Sequence, residues 1–208
     1  MSSGSRSRAD LAATLREVLL DPAAATALEV HGRTDAAVLV ALFDRDRELH
    51  VVLTKRRDDL RRHAGETSFP GGRRDPGEAD LRETALREAR EEIGLPSAEV
   101  ELIGALQPTP TIVTGYAVYP FVGLIEDGHR WDPSTLEVAE VIELPLSALV
   151  AGAQRIRLVR RGIPFRTDTY VVGDHMVWGA TARILADLLE RVAAAGLLPL
   201  RRDDPASS

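Results

Sequence analysis

Apolar residues recur along the chain at two periods, and the switch between them marks out the elements. Leu11, Leu15, Val18 and Leu19 fall at helical spacing and Pro22 ends the run, which predicts a short amphipathic helix. Residues 36–43 are continuously apolar and end in charges, as a buried strand would. Residues 50–54 form a second such run, and the polar tract 44–48 between the two suits a hairpin. From 55 to 77 there is no clean period, and Gly65, Pro70, Gly71, Gly72, Pro76 and Gly77 predict mostly loop. A strong helix follows, with Leu81, Ala85, Ala89 and Ile93 on one stripe. Asp80 is its expected N-cap, with Glu83 three residues on, and Gly94 and Pro96 close it.

Beyond it, 100–106 alternates as a strand, 107–115 is a Pro/Thr loop, and 116–125 reads as another strand. Tracts 138–144, 155–159 and 169–172 are further strand candidates. Residues 180–195 form a last helix with Ile184, Leu188 and Val192 inward and Gly196 as its stop. Strands and helices intermix at hairpin-like spacings, so the expected architecture is α/β, a mixed sheet between helices. The expected organisation is an N-terminal tail and short helix over 1–29, one domain over 30–197 and a polar tail over 198–208.

Composition narrows the function classes. With 208 residues and 44% hydrophobic content the chain can bury one sizeable core. A net charge of -6 does not indicate a duplex nucleic-acid surface. The absence of cysteine excludes disulfides, thiolate metal sites and a Cys nucleophile. No stretch reaches the roughly 18 apolar residues of a membrane span, and the polar start lacks a secretory apolar region, so a cytoplasmic protein is expected. Neither a Gly-x-Ser-x-Gly elbow nor a P-loop is present. His63 reads as a loop histidine, Trp131 and Trp178 as packing residues, and Tyr116 and Tyr119 as pointing to different faces.

The chemistry concentrates on the helix over 81–93. Glu88 and Glu92 are four apart and share a face, and Glu91 sits on its edge. Like charges so placed repel, so the three either point at water or hold cations. Hard oxygen ligands suit Mg²⁺ or Mn²⁺, which in turn suit phosphate oxygens. The Gly71–Gly72 pair ahead of the helix allows close backbone approach and can offer a carbonyl. Upstream, residues 53–65 are locally basic in an acidic chain and contain the sole lysine, Lys55. Such a segment either holds phosphates or forms a solvated loop with internal Arg–Asp pairs.

The stretch from Gly72 to Leu95 resembles the Nudix box, which runs G, five residues, E, seven residues, R-E-U-x-E-E-x-G-U, with U aliphatic. Gly72, Glu78, Arg87, Glu88, Glu91, Glu92, Gly94 and Leu95 match, Ala89 takes the first aliphatic place, and eight residues rather than seven separate Glu78 from Arg87. Leu53, Thr54, Arg56, Arg61, Gly65, Phe69, Pro70, Gly71 and Gly72 resemble the extra signature of the coenzyme A pyrophosphatase branch. Val52 and Arg57 depart from it, and residues 178–183 resemble the start of that branch's last helix. The resemblance implies a Nudix fold, an α/β/α sandwich with a loop-helix-loop metal site.

It implies further that Glu88, Glu91 and Glu92 bind Mg²⁺ or Mn²⁺ with the Gly72 carbonyl, and that Glu78 and Arg87 brace the site. Glu91 or Glu92 would act as base, and Lys55, Arg56, Arg61 and Arg62 would hold the substrate phosphates. The implied reaction is hydrolysis of coenzyme A, with its thioesters or oxidised forms as further substrates, to 3',5'-ADP and 4'-phosphopantetheine. Two alternatives stand beside it: hydrolysis of another nucleoside diphosphate derivative such as ADP-ribose or a dinucleotide, and a non-catalytic coenzyme A- or nucleotide-binding regulatory module. The expected partner is a small-molecule substrate, with neither nucleic acid nor membrane, and a homodimer is admitted.

Overall fold

The computed structural model describes residues 7–57, 66–111, 115–160 and 163–198. In chain order the elements are α1 (Arg8–Arg16), α2 (Pro22–Thr26), β1 (Thr34–Arg45), β2 (Glu48–Arg56), β3 (Thr67–Ser68), β4 (Gly71–Arg73) and α3 (Leu81–Ile93). After one 3-10 turn at Ser97–Glu99 come β5 (Glu101–Ala105), β6 (Thr109–Pro110), β7 (Tyr116–Leu124), β8 (Val138–Pro145) and α4 (Leu146–Ala151). The chain continues through β9 (Ala153–Arg160), β10 (Ile163–Val172), β11 (His175–Trp178) and α5 (Gly179–Ala194).

The main sheet runs β3-β2-β1-β7-β5, with β4 on β1, β6 on β7 and β8 on β2. It is mixed, because β1 and β7 are parallel while the other pairs are antiparallel. A smaller sheet, β11-β10-β9, stands beside it. Alternation along β1 divides the core in two. Val40 and Leu42 join α1, α4 and α5 through Leu11, Leu15, Leu146, Leu149, Leu185 and Leu188. Ala37, Leu39, Ala41 and Phe43 join α3 through Leu81, Ala85, Ala89 and Ile93. Helices thus cover both faces of the sheet, the layering expected of an α/β/α sandwich. No described helix is long and apolar enough to cross a membrane.

The hairpin between β1 and β2 turns through Asp46 and Arg47, both at positive φ (55° and 69°), a geometry whose twist suits antiparallel neighbours. β1 and β2 then pair only from Leu42↔Val51 to Arg45↔Glu48 before diverging. β4 lies along the early half of β1, with Ala37 opposite Gly72, and β3 lies along the late half of β2. The tract expected to be mostly loop therefore contributes two short strands. Neither has a period of its own; each is strand only because β1 and β2 leave an open edge beside it. Gly71 fits because a Cβ there would lie 2.4 Å from the Ala37 carbonyl oxygen.

Other differences are local. The first helix ends at Arg16, short of the run to Leu19 expected from the spacing, and Pro22 does not stop it but opens α2, as a residue whose fixed φ and missing N–H suit a first turn. The Asp80 side chain caps α3, accepting from the N–H groups of Arg82 and Glu83, while the Glu83 carboxylate reaches Ala79 N–H rather than that of Asp80. Gly94 ends the helix at φ 72°, where a residue without a side chain is favoured.

Candidate active site

The site forms where α3 crosses β4. Glu88 and Glu92 point from one helix face at the Gly71–Gly72 strand. Gly71 N–H donates to Glu92 Oε2 at 3.2 Å. Gly72 leaves room for the other carboxylate, since a Cβ there would stand 2.2 Å from Glu88 Oε1. The side chains of Glu88 and Glu92 are only 18% and 8% exposed. Arg56 reaches the same place from the end of β2, its Nη1 3.7 Å from Glu92 Oε1. A register shift between Lys55 and Arg56 against β8 puts a bulge next to the site, a device that re-aims a side chain.

Arg87 ties the approach loop to the helix. Its guanidinium donates to Glu78 Oε1 at 2.7 Å, Glu88 Oε1 at 2.9 Å, Glu91 Oε2 at 3.0 Å and the Arg73 carbonyl at 3.1 Å. Glu78 also accepts from the Asp75 N–H and the Thr84 hydroxyl. Burial opposes ionisation of Glu78, but the Arg87 guanidinium, the Thr84 hydroxyl and the Asp75 amide outweigh it and hold the carboxyl below its ordinary range. The extra residue between Glu78 and Arg87 thus does not separate these two side chains.

Glu88 and Glu92 behave oppositely. Burial pushes the Glu88 carboxyl up against the pull of Arg87, and the charges of Glu91 and Glu137 add to the rise. Burial pushes Glu92 up to about 7; the Gly71 N–H and Arg56 oppose this, while Glu88 and Glu137 reinforce it. Two desolvated, mutually repelling carboxylates are a poor arrangement alone and a good one around a divalent cation. Glu88, Glu92 and the backbone beside Gly72 therefore fit such an ion chemically. Among the described residues no three His, Cys, Asp or Glu side chains converge as a metal-holding group. Water and substrate phosphate oxygens would complete the shell, the usual pattern for Mg²⁺.

The remaining expected residues divide. Glu91 is 52% exposed and turns toward Arg87 on the outer edge of the helix. Lys55 sits opposite Thr67 of β3 and Glu140 of β8, one residue out of phase with Arg56. Arg61 and Arg62 lie outside the described residues, as does His63. Trp131 packs on the α3 side of the core and donates to Glu143 Oε1, while Tyr116 and Tyr119 face the two separate core halves. Sequence reasoning missed Glu137. Its Oε2 lies 3.3 Å from Arg56 Nη2, and its charge acts on both Glu88 and Glu92. It precedes β8 with no motif around it, so nothing in the sequence alone marked it.

Comparison with known proteins follows the same lines. Residues 33–159 match the NUDIX domain family. A Citrobacter koseri protein described as the uncharacterized Nudix hydrolase NudL is 42% identical over 162 residues, spanning 77% of this chain and 83% of that protein. A MutT/nudix family protein from Enterococcus faecalis has a TM-score of 0.54 at 15% identity, covering 92% of this chain and 76% of that one. The NUDIX domain of Shewanella oneidensis NrtR, solved in complex with ADP ribose, has a TM-score of 0.52 at 16% identity, with coverage of 81% and 90%. At such identities these two structures bear on the fold alone.

Proposed function

The chain belongs to the NUDIX family and is a Nudix hydrolase acting on nucleoside diphosphate derivatives, and from that premise we propose that it cleaves the diphosphate bond of coenzyme A. The observation that carries this reading is the meeting of Arg56 with Glu92. Arg56 belongs to the basic signature that resembles coenzyme A pyrophosphatases, and Glu92 to the carboxylate helix. Their approach joins the residue expected to hold phosphate to the residues expected to hold the cation.

Nudix hydrolases generally use divalent metal ions; Mg²⁺ or Mn²⁺ is proposed here, held by Glu88 and Glu92 with the Gly72 carbonyl, and Glu91 at the edge. When bound, the ion offsets phosphate charge and lowers the pKa of water. The chain's own residues do the rest. Arg56, joined by Lys55, Arg61 and Arg62, holds the diphosphate and the 3'-phosphate through charge-assisted hydrogen bonds. Glu91 and Glu92 are the candidate bases for the attacking water. Arg87 and Glu78 keep the loop and helix in register. Water adds across one P–O bond of the anhydride, giving 3',5'-ADP and 4'-phosphopantetheine. A homodimer and a cytoplasmic setting belong to the same proposal.

The test is a metal-dependent substrate screen with product identification. Coenzyme A, ADP-ribose and a dinucleotide are each incubated with the protein and Mg²⁺ or Mn²⁺. Coenzyme A turned over fastest supports the reading. Rapid turnover of ADP-ribose or the dinucleotide, with coenzyme A untouched, removes it. Tight coenzyme A binding with no metal-dependent product would identify a regulatory module instead.

A further inference from the structure

We infer that Glu137 is a positioning residue that sets the Arg56 guanidinium for phosphate, an inference that rests on the reading of Arg56 as a phosphate-holding side chain. Arg56 has two carboxylate neighbours, Glu137 at 3.3 Å and Glu92 at 3.7 Å. Its Nε is buried and has no hydrogen-bond partner among the described residues. Once Glu92 is engaged with a divalent cation, its negative charge is offset and its pull on Arg56 falls. Glu137 is then the anchor that persists.

The main chain fixes Glu137 closely. Its carbonyl accepts from Arg57 N–H at 3.1 Å, and its N–H donates to the Ser134 carbonyl at 3.1 Å. Ser134 N–H in turn donates to the Glu92 carbonyl at 2.9 Å. The Arg57 side chain donates to the Thr135 carbonyl. The turn from Ser134 to Val138 is therefore pinned to the end of the carboxylate helix on one side and to the end of β2 on the other. Glu137 itself is 52% exposed, so its pairing with Arg56 adds little stability. What the pair supplies is direction: a long, flexible guanidinium is held in place before the ligand arrives, at less cost in ordering when it does.

A double-mutant cycle on the full chain tests this, with Glu137→Gln, Glu137→Asp, Arg56→Ala and the Glu137→Gln/Arg56→Ala pair. The readouts are KM and kcat for coenzyme A with Mg²⁺, the melting temperature, and Mn²⁺ affinity without nucleotide by calorimetric titration. Glu137→Gln is expected to raise KM roughly five- to tenfold with kcat within about twofold, the signature of lost uniform binding. Glu137→Asp should recover part of the loss. Melting temperature should be unchanged, and Mn²⁺ affinity should fall by no more than about twofold, the screened through-space effect of one lost charge. In the Arg56→Ala background Glu137→Gln should have no further effect, since the two act as one unit. Fully additive effects would overturn the inference, as would a Glu137→Gln protein with unchanged KM. A several-fold loss of Mn²⁺ affinity in Glu137→Gln would also overturn it, by assigning this carboxylate to the cation. If Arg56→Ala itself leaves KM unaltered, it is the underlying reading of Arg56 that fails.

Discussion

Gly72→Ala should leave the fold standing and remove the activity. Gly72 lies in β4 opposite Ala37, and its φ is not in the left-handed region, so alanine meets no backbone penalty there. The new methyl group would instead sit 2.2 Å from Glu88 Oε1 and 2.5 Å from its Cδ, where ordinary contact begins at 3.4 Å. The carboxylate must retreat by about 1.2 Å. Because it is the far end of a side chain, stability should fall by only about 1 kcal/mol, the low end of overpacking costs, or roughly 2–4 °C in melting temperature. Catalytic geometry is less forgiving. A displacement near 1 Å costs about 10²-fold in rate. The assay pairs a thermal melt with Mn²⁺ titration and metal-dependent turnover. Glu88→Ala supplies the control: with the carboxylate gone, adding Gly72→Ala should cost less than about 0.5 kcal/mol more. A Gly72→Ala protein with wild-type Mn²⁺ affinity and wild-type turnover would refute the placement of Glu88 against the strand.

Two further outcomes follow from the same geometry. Because Glu92 is raised from 4.5 to about 7, the metal-free protein should be most stable below pH 4.5 as far as this group is concerned. It should lose about 3 kcal/mol as pH rises to 7, at about 1.4 kcal/mol per pKa unit. Glu92→Gln should flatten that slope and melt above the wild type at pH 8 without metal; an unchanged slope would show that Glu92 is not desolvated. Arg87→Ala strands Glu78, whose side chain is 12% exposed, so a destabilisation of about 3 kcal/mol is expected in chemical denaturation, and a loss below 1 kcal/mol would show that the brace is dispensable.

Much of this was legible in the sequence, and the unread parts share a cause. The stripe of Leu81, Ala85, Ala89 and Ile93, with Asp80 before and Gly94 after, fixes α3 from local information alone, and with it the shared face of Glu88 and Glu92. β1 was equally plain, because a strand buried on both faces is apolar throughout. By contrast β3 and β4 are strands only through pairing with β2 and β1, so the glycines and prolines around them read as loop. The direction of Glu91 depends on Arg87 having the stronger claim on it. Glu137 is brought to the site by the Ser134 turn and the Arg57 pairing, both tertiary, and carries no local signal. Residue types on a helix were readable; partners delivered from other strands were not.

The most direct measurement is product identification from coenzyme A incubated with Mg²⁺ or Mn²⁺ and the wild type, Glu88→Gln or Glu92→Gln protein. The account predicts equimolar 3',5'-ADP and 4'-phosphopantetheine from the wild type, dependent on the metal, and a loss of at least about 10²-fold in each variant with the fold intact. Intact coenzyme A after exposure to the metal-loaded wild type, or near-normal rates in both variants, would contradict it.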